Sequence, residues 1–370
     1  MSTIIKRIDV LSPALLYPLA CVLFVILGIN GGSFYGMFLF FIHITFFLLS
    51  FFCTRIFLEK QTSITFEKSK THEDNGFTKF LAVLFSVLGM FGFVVALSAV
   101  SWNVPAIYPW LRRYIPAVFM YASFLLVPAC VISFQEFLLK GERKKAIFIF
   151  FSGLFSISIL GYRTEVTVLL ISSVLVLWYL QTEKKRLLQK TKNALLFFGM
   201  LAMAVLLISA ISLARNSNDV LQRSSLTMGV LSMLTKHLEG GEGGGTLHYA
   251  IFSSAGILPG PKTGPRTFIS LLVGVERGST TSTILGLPFV DFGVGGVILF
   301  SVFLGAFFSF AYTIAVLRKN VLPMYAVCFA FLLVSIETGI ADVIVIFYFF
   351  VLFAQCMREI FVKYKKTDKK

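Results

Sequence analysis

Residues 142–186 read ERKKAIFIFFSGLFSISILGYRTEVTVLLISSVLVLWYLQTEKKR, and this stretch decides the fold. Two apolar runs, 146–161 and 166–180, are joined by the short turn Gly161-Tyr162-Arg163-Thr164-Glu165 and bounded at both open ends by basic clusters. Crossing about 30 Å of hydrocarbon as a helix takes about 20 apolar residues, so these two runs make an unusually short hairpin. Lysine and arginine at both open ends hold those ends on the cytoplasmic side. From Lys145 to Arg163 is about 27 Å of helix at 1.5 Å per residue. The turn therefore sits at or slightly below the outer interface, where an arginine and a glutamate are costly unless they face water or a polar cavity.

The same pattern extends in both directions. The chain is 57% hydrophobic and only 14% charged, with a mean hydropathy of +0.86, which excludes an ordinary soluble domain. Spans are expected near 11–30, 33–53, 79–100, 115–139, 146–161, 166–180, 193–214, 288–316, 320–338 and 342–361. The fold class is then all-α, a polytopic integral membrane bundle of about ten transmembrane helices spanning 1–370 as one unit. Its one long extracytoplasmic loop, 215–287, lies between spans 7 and 8. Ten spans place both termini on one side, and loop charge makes that side the cytoplasm. Pro18 sits where a lipoprotein cleavage site would want an aliphatic residue, so 11–30 reads as an uncleaved first span.

Charge sorts by side and by kind. Nine basic residues fall outside: Arg112, Arg113, Arg163, Arg215, Arg223, Arg266, Arg277, Lys236 and Lys262. The remaining 24 of the 33 are mostly lysine and lie inside. The net charge of +15 is thus topological anchoring and attraction to anionic lipid, and no basic soluble surface is left for a nucleic acid. Arginine grips phosphate through a planar, always charged fork, whereas lysine serves as an ordinary anchor. An arginine-rich outer face therefore points to an anion, a diphosphate or an acidic glycan. Arg163, Arg215 and Arg223 stand where spans meet polar sequence and lead the candidates, with Arg266 and Arg277 as further binding residues. Arg112 and Arg113, beside Trp110, read as interface anchors.

The long loop opens with Arg-Asn-Ser-Asn-Asp, continues through a modestly apolar stretch at 225–238 fit for an interfacial helix, and reaches Glu-Gly-Gly-Glu-Gly-Gly-Gly at 239–245. The glycine run lacks the Gly-Lys-Ser/Thr ending of a nucleotide loop. It reads as a flexible lid or hinge between Glu239, Glu242 and His248, or as plain linker. Candidates for outer proton transfer are Glu165, Glu239, Glu242, Glu276, Asp291, Glu337, Asp342, His237 and His248. Asp291 opens an apolar span and needs water or a partner; a structural pair with an arginine is the alternative to a chemical role. His43, inside the second span, reads as a satisfied interior histidine. The five cysteines lie in or at the ends of spans, which argues against a disulfide framework or a zinc site.

Two segments carry a resemblance. Leu160-Gly161-Tyr162-Arg163-Thr164, opening an apolar helix, resembles the small-residue–arginine turn of O-antigen polymerases and ligases. Pro288-Phe289-Val290-Asp291-Phe292-Gly293-Val294-Gly295-Gly296 resembles the aromatic–acid–Phe-Gly segment that follows the large outer loop of those polymerases. The resemblance implies a GT-C-like glycosyltransferase of the bacterial cytoplasmic (inner) membrane, using neither metal nor nucleotide sugar and requiring no cofactor. It would join oligosaccharide units carried on undecaprenyl diphosphate, as donor and acceptor, into O-antigen or capsule-type polysaccharide. A chain-length regulator is a candidate protein partner, with membrane lipid around the bundle. On that reading Arg163, Arg215 and Arg223 hold diphosphate, Arg266, Arg277 and Glu165 bind substrate, and His248, Asp291 or Glu239 takes the acceptor proton. An O-antigen ligase, or a transporter or flippase of lipid-linked glycan, is the alternative.

Overall fold

The structure is a computed structural model describing residues 11–62, 76–182, 220–275 and 279–367. The expected span 193–214, together with Arg215, Glu276 and Arg277, lies outside the described residues. Thirteen α-helices occur among the described residues: α1 (Pro13–Leu27), α2 (Phe34–Thr62), α3 (Gly76–Ala99), α4 (Ala117–Phe124), α5 (Leu126–Leu139), α6 (Arg143–Leu160), α7 (Arg163–Thr182), α8 (Val220–His237), α9 (Thr246–Ser254), α10 (Pro265–Leu272), α11 (Thr283–Leu317), α12 (Leu322–Thr338) and α13 (Val343–Thr367). Among the described residues, six stretches are long and apolar enough to cross a membrane: Phe34–Leu58, Gly76–Ala99, Ala117–Leu139, Arg163–Leu180, Thr283–Leu317 and Val343–Phe361. Shorter apolar helices run at Pro13–Leu27 and Leu322–Thr338. The protein is an all-helical, multi-pass membrane protein.

Several boundaries differ from the sequence reading. The polar loop expected at 54–78 begins as helix, because α2 continues to Thr62. The run 115–139 is broken at Leu125 into α4 and α5. Pro128 is the cause: it has no N–H to offer the carbonyl of Phe124 four residues earlier. The buried hydroxyl of Tyr348 donates to that carbonyl instead, at 2.8 Å. The helix expected from 288 starts at Thr283 and is kinked at Gly293, whose φ of 64° and ψ of −155° no L-residue adopts without strain.

The chain divides into two compact units. The first comprises Met1–Thr71, Asn218–Ile314 and Leu332–Ile346. In it α8 lies tightly against the α1–α2 connection, where a side chain at Gly31 would overlap the Ser225 carbonyl and one at Gly28 would strike Met228. Met228, Leu231 and Leu234 are the buried face of α8. The stretch expected to form a helix at 225–238 does so within α8, and one face of it is packed into this unit. A polar chain crosses the unit's apolar interior. Ser301 donates to the Val297 carbonyl, so its oxygen accepts from Nδ1–H of His43 at 2.6 Å, and Nε2 of the neutral ring accepts from Tyr17 at 2.6 Å. His43 is thus a satisfied interior histidine. His43→Ala removes the acceptor of the buried Tyr17 hydroxyl and opens a cavity in apolar surroundings, so a loss of about 2–5 kcal/mol is expected. Thermal unfolding in detergent checks it; an unchanged midpoint would contradict it.

The second unit comprises His72–Ser217, Ala315–Phe331 and Phe347–Lys370. Here α3 lies close against α4 and α5 through small residues: a Cβ on Gly89 or Gly92 would press into Leu126 or Ala122. The connection after α3 exposes Trp102, Tyr108, Trp110 and Tyr114, the composition of an aromatic belt at a membrane interface.

Candidate functional site

The first unit gathers its chemistry around the kink in α11. The amides of Gly241, Gly243 and Gly244 donate to the carbonyls of Phe289, Val290 and Asp291, on the turn just before Gly293. The chain can come this close because it carries no side chains: a Cβ on Gly243 would stand 2.2 Å from Oδ1 of Asp291. Glu242 closes the loop from its own end, accepting from the amides of Glu239 at 2.6 Å and Gly240 at 2.9 Å. The segment expected to be a lid, hinge or linker is instead a fitted collar around residues 289–293. Its amides have carbonyl partners, which a free linker would lack.

That collar delivers the N-terminus of α9 to Asp291. Oδ1 accepts from the amide of Leu247 at 3.0 Å, and Oδ2 from that of His248 at 2.9 Å. A buried carboxylate at this position satisfies two of the helix's open amides and meets the positive end of its dipole. The same Oδ2 lies 2.6 Å from Nδ1 of His248. Asp291 is 1% exposed, whereas the His248 side chain is 37% exposed and rests on the ring of Phe292. The partner of Asp291 is thus a histidine and a helix end, not an arginine. With Nδ1 committed to the carboxylate, Nε2 is the nitrogen left for a ligand, the arrangement of a histidine oriented for proton transfer. Glu239 is exposed, and it enters this network through its amide rather than its carboxylate.

Two of the outer arginines lie in the same unit, each facing a carboxylate. Nε of Arg223, on α8, is 2.5 Å from Oε1 of Glu337 at the end of α12. Nη2 of Arg266, on α10, is 2.7 Å from Oδ2 of Asp342, just ahead of α13. One apolar cluster underlies these groups, drawing Leu234 from α8, Leu247 and Ile251 from α9, Ile269 from α10, Leu287 and Val290 from α11, and Ala341. Sequence reading had named Glu337 and Asp342 only as outer acids. Their pairing with Arg223 and Arg266 spans 114 and 76 residues and leaves no local mark.

Arg163 and Glu165 belong to the second unit. Gly161 ends α6 in the left-handed region at φ 76°, and Arg163 begins α7 immediately after Tyr162. Glu165 is 6% exposed, inside the first turn of α7, where a carboxylate meets the helix dipole favourably. The Tyr162 ring packs edge-on against Phe124 and carries the guanidinium of Arg112 at 5.2 Å from its centre. Arg112 is thus engaged beside the Arg163 turn rather than serving purely as a lipid anchor. A tyrosine directly after the turn glycine is the signal that could have pointed to it. The five cysteines are all free thiols.

With this geometry in view, comparison with known families decides the affiliation. The family described as "Putative O-antigen polymerase" matches residues 9–349. The chain belongs to that family. The matched region takes in both the Arg163 turn and the Asp291 segment. An uncharacterized protein of Methanocaldococcus jannaschii is 32% identical over 287 residues, which cover 74% of this chain and 77% of the relative. No solved structure matches the chain. Family membership accounts for a polymerase-like role in a membrane. The Gly241–Asp291 collar and the His248–Asp291 pair both lie within the matched region.

Proposed function

We propose that the protein polymerises oligosaccharide repeat units carried on undecaprenyl diphosphate, by glycosyl transfer at the outer face of the cytoplasmic membrane. The observation that supports this reading above others is the 2.6 Å contact between Nδ1 of His248 and the buried carboxylate of Asp291. A glycosyl transfer to a sugar hydroxyl needs a base for one proton and stabilisation for one leaving diphosphate. His248 would take the proton from the acceptor hydroxyl through Nε2, and Asp291 would stabilise the imidazolium that forms. As the anomeric C–O bond breaks, its electron pair goes to the diphosphate oxygen and the acceptor oxygen takes the anomeric carbon. Arg223 and Arg266 supply guanidinium groups for the diphosphates; Arg163, Arg215 and Arg277 remain candidates on sequence grounds.

Purified protein supplied with lipid-linked units, and with neither metal nor ion gradient, is expected to produce a ladder of longer glycans. Transport of units across a vesicle membrane without elongation would instead identify a carrier. A ligase would cap a different acceptor with a single finished glycan and give no ladder. Arg163→Ala is expected to lower polymer yield by about 10²-fold or more while single-unit glycan persists. Wild-type chain lengths in that variant, read on a glycan gel, would remove Arg163 from the role.

A further inference from the structure

Among the described residues of the first unit, Arg223 and Arg266 each already face an anion, and that anion belongs to the protein. A carboxylate and a phosphate are alternative partners for the same guanidinium fork. We propose that Glu337 and Asp342 are exchange partners: they occupy Arg223 and Arg266 between turnovers, are displaced by the diphosphate of an incoming ligand, and return to expel it after transfer. This rests on the reading of those arginines as diphosphate holders.

Three observations carry it. First, the pairs are open enough to exchange. Side-chain exposure is 45% and 25% for Arg223 and Glu337, and 31% and 35% for Arg266 and Asp342. Ion pairs this exposed favour the closed state by no more than about fivefold each. A diphosphate brings more charge and more acceptor oxygens than the single carboxylate it replaces, so the exchange favours the ligand while it is present. Second, the two carboxylates sit on one short connection. Asp342 stands five positions after Glu337, at most about 17 Å of extended chain, and the reversal at Gly339 (φ 70°) brings them closer. Third, the connection is pinned between them. The Gly339 amide donates to the Ser335 carbonyl at 2.8 Å, and Ala341 is buried in the apolar cluster beneath His248 and Asp291. The acids can therefore swing as side chains without unfolding their support.

The exchange has a kinetic purpose. Transfer leaves a lipid diphosphate on the arginines, and two charge-assisted contacts would make it slow to leave. Carboxylates waiting on the same connection re-form the neutral pairs and offset that retention. Removing them should tighten ligand binding and slow turnover together, a lower KM with a lower kcat.

The test measures inorganic pyrophosphate binding to the full chain in detergent at fixed ionic strength. The doubly substituted E337Q/D342N protein is expected to bind about tenfold more tightly than wild type. Equal or weaker binding by folded variant overturns the exchange. A second measurement separates the pairs: E337Q alone and D342N alone are each expected to bind pyrophosphate about threefold more tightly than wild type. No gain by either folded single variant also overturns it. R223Q/R266Q separates this idea from its foundation. If it binds pyrophosphate like wild type, the arginines are not the diphosphate site and the preceding reading of them falls too. If its binding is lost while E337Q/D342N gains nothing, only the exchange fails.

Discussion

His248→Ala is expected to stop chain extension, lowering turnover by about 10²–10⁴-fold while lipid-linked single units accumulate. The size follows from the geometry rather than from the presence of a histidine alone. His248 stands at the third position of α9, its amide and its Nδ1 both held by one carboxylate oxygen. The ring is thereby fixed in one orientation before a substrate arrives, and its partly open edge carries the remaining nitrogen. Asp291→Asn should lose nearly as much activity. An amide placed there still offers one oxygen, but its NH₂ faces the donors that Oδ2 now accepts from, and a buried mismatch of that kind costs about 1–3 kcal/mol. The two variants differ in their second readout. His248→Ala should lower thermal stability less than Asp291→Asn, because the carboxylate keeps both of its backbone donors. Polymer ladders from purified His248→Ala protein at the wild-type rate would take the histidine out of the chemistry.

Gly243→Ala is expected to cost both stability and activity although it touches no substrate. Its new methyl would lie 2.2 Å from Oδ1 of Asp291 and 3.0 Å from the Val290 carbonyl oxygen. The backbone cannot easily retreat, since the Gly243 amide is bound to Val290 and the next amide to Asp291. Either the collar opens or Asp291 turns away from His248, and overpacking of this kind costs about 1–3 kcal/mol. Gly295→Ala is the control: nothing lies within 4 Å of its Cβ position, so stability should change by no more than about 0.5 kcal/mol. Unfolding midpoints and polymer length in the two variants decide the matter. Equal activity in both would show that the collar does not hold the carboxylate.

The comparison of sequence with structure turns on how far apart the interacting residues are. Whatever depends on a residue and its near neighbours was legible. Apolar runs of membrane length marked most helices, lysine clusters marked their ends, and the apolar stretch at 225–238 marked α8. The Arg163 turn and the Asp291 segment were visible as motifs, and the family they resemble is the family that matches. His43 read correctly as an interior residue, since a lone histidine within an apolar run must find partners there.

The contacts that make a site were not legible, because they join residues with no sequence relation. Nothing local says that the glycines at 241–244 close on carbonyls about 50 residues later, so a fitted collar looked like a linker. Nothing local tells which of nine outer acids and histidines meet, or that Arg223 and Arg266 would face Glu337 and Asp342. By itself the sequence determined a multi-pass helical membrane protein with two motif turns, because hydrocarbon thickness acts on each segment separately. Only the tertiary structure decided that Asp291 serves both a helix end and His248. That pairing requires a kink at Gly293, a collar without side chains and an apolar core to bring three distant segments within hydrogen-bond reach.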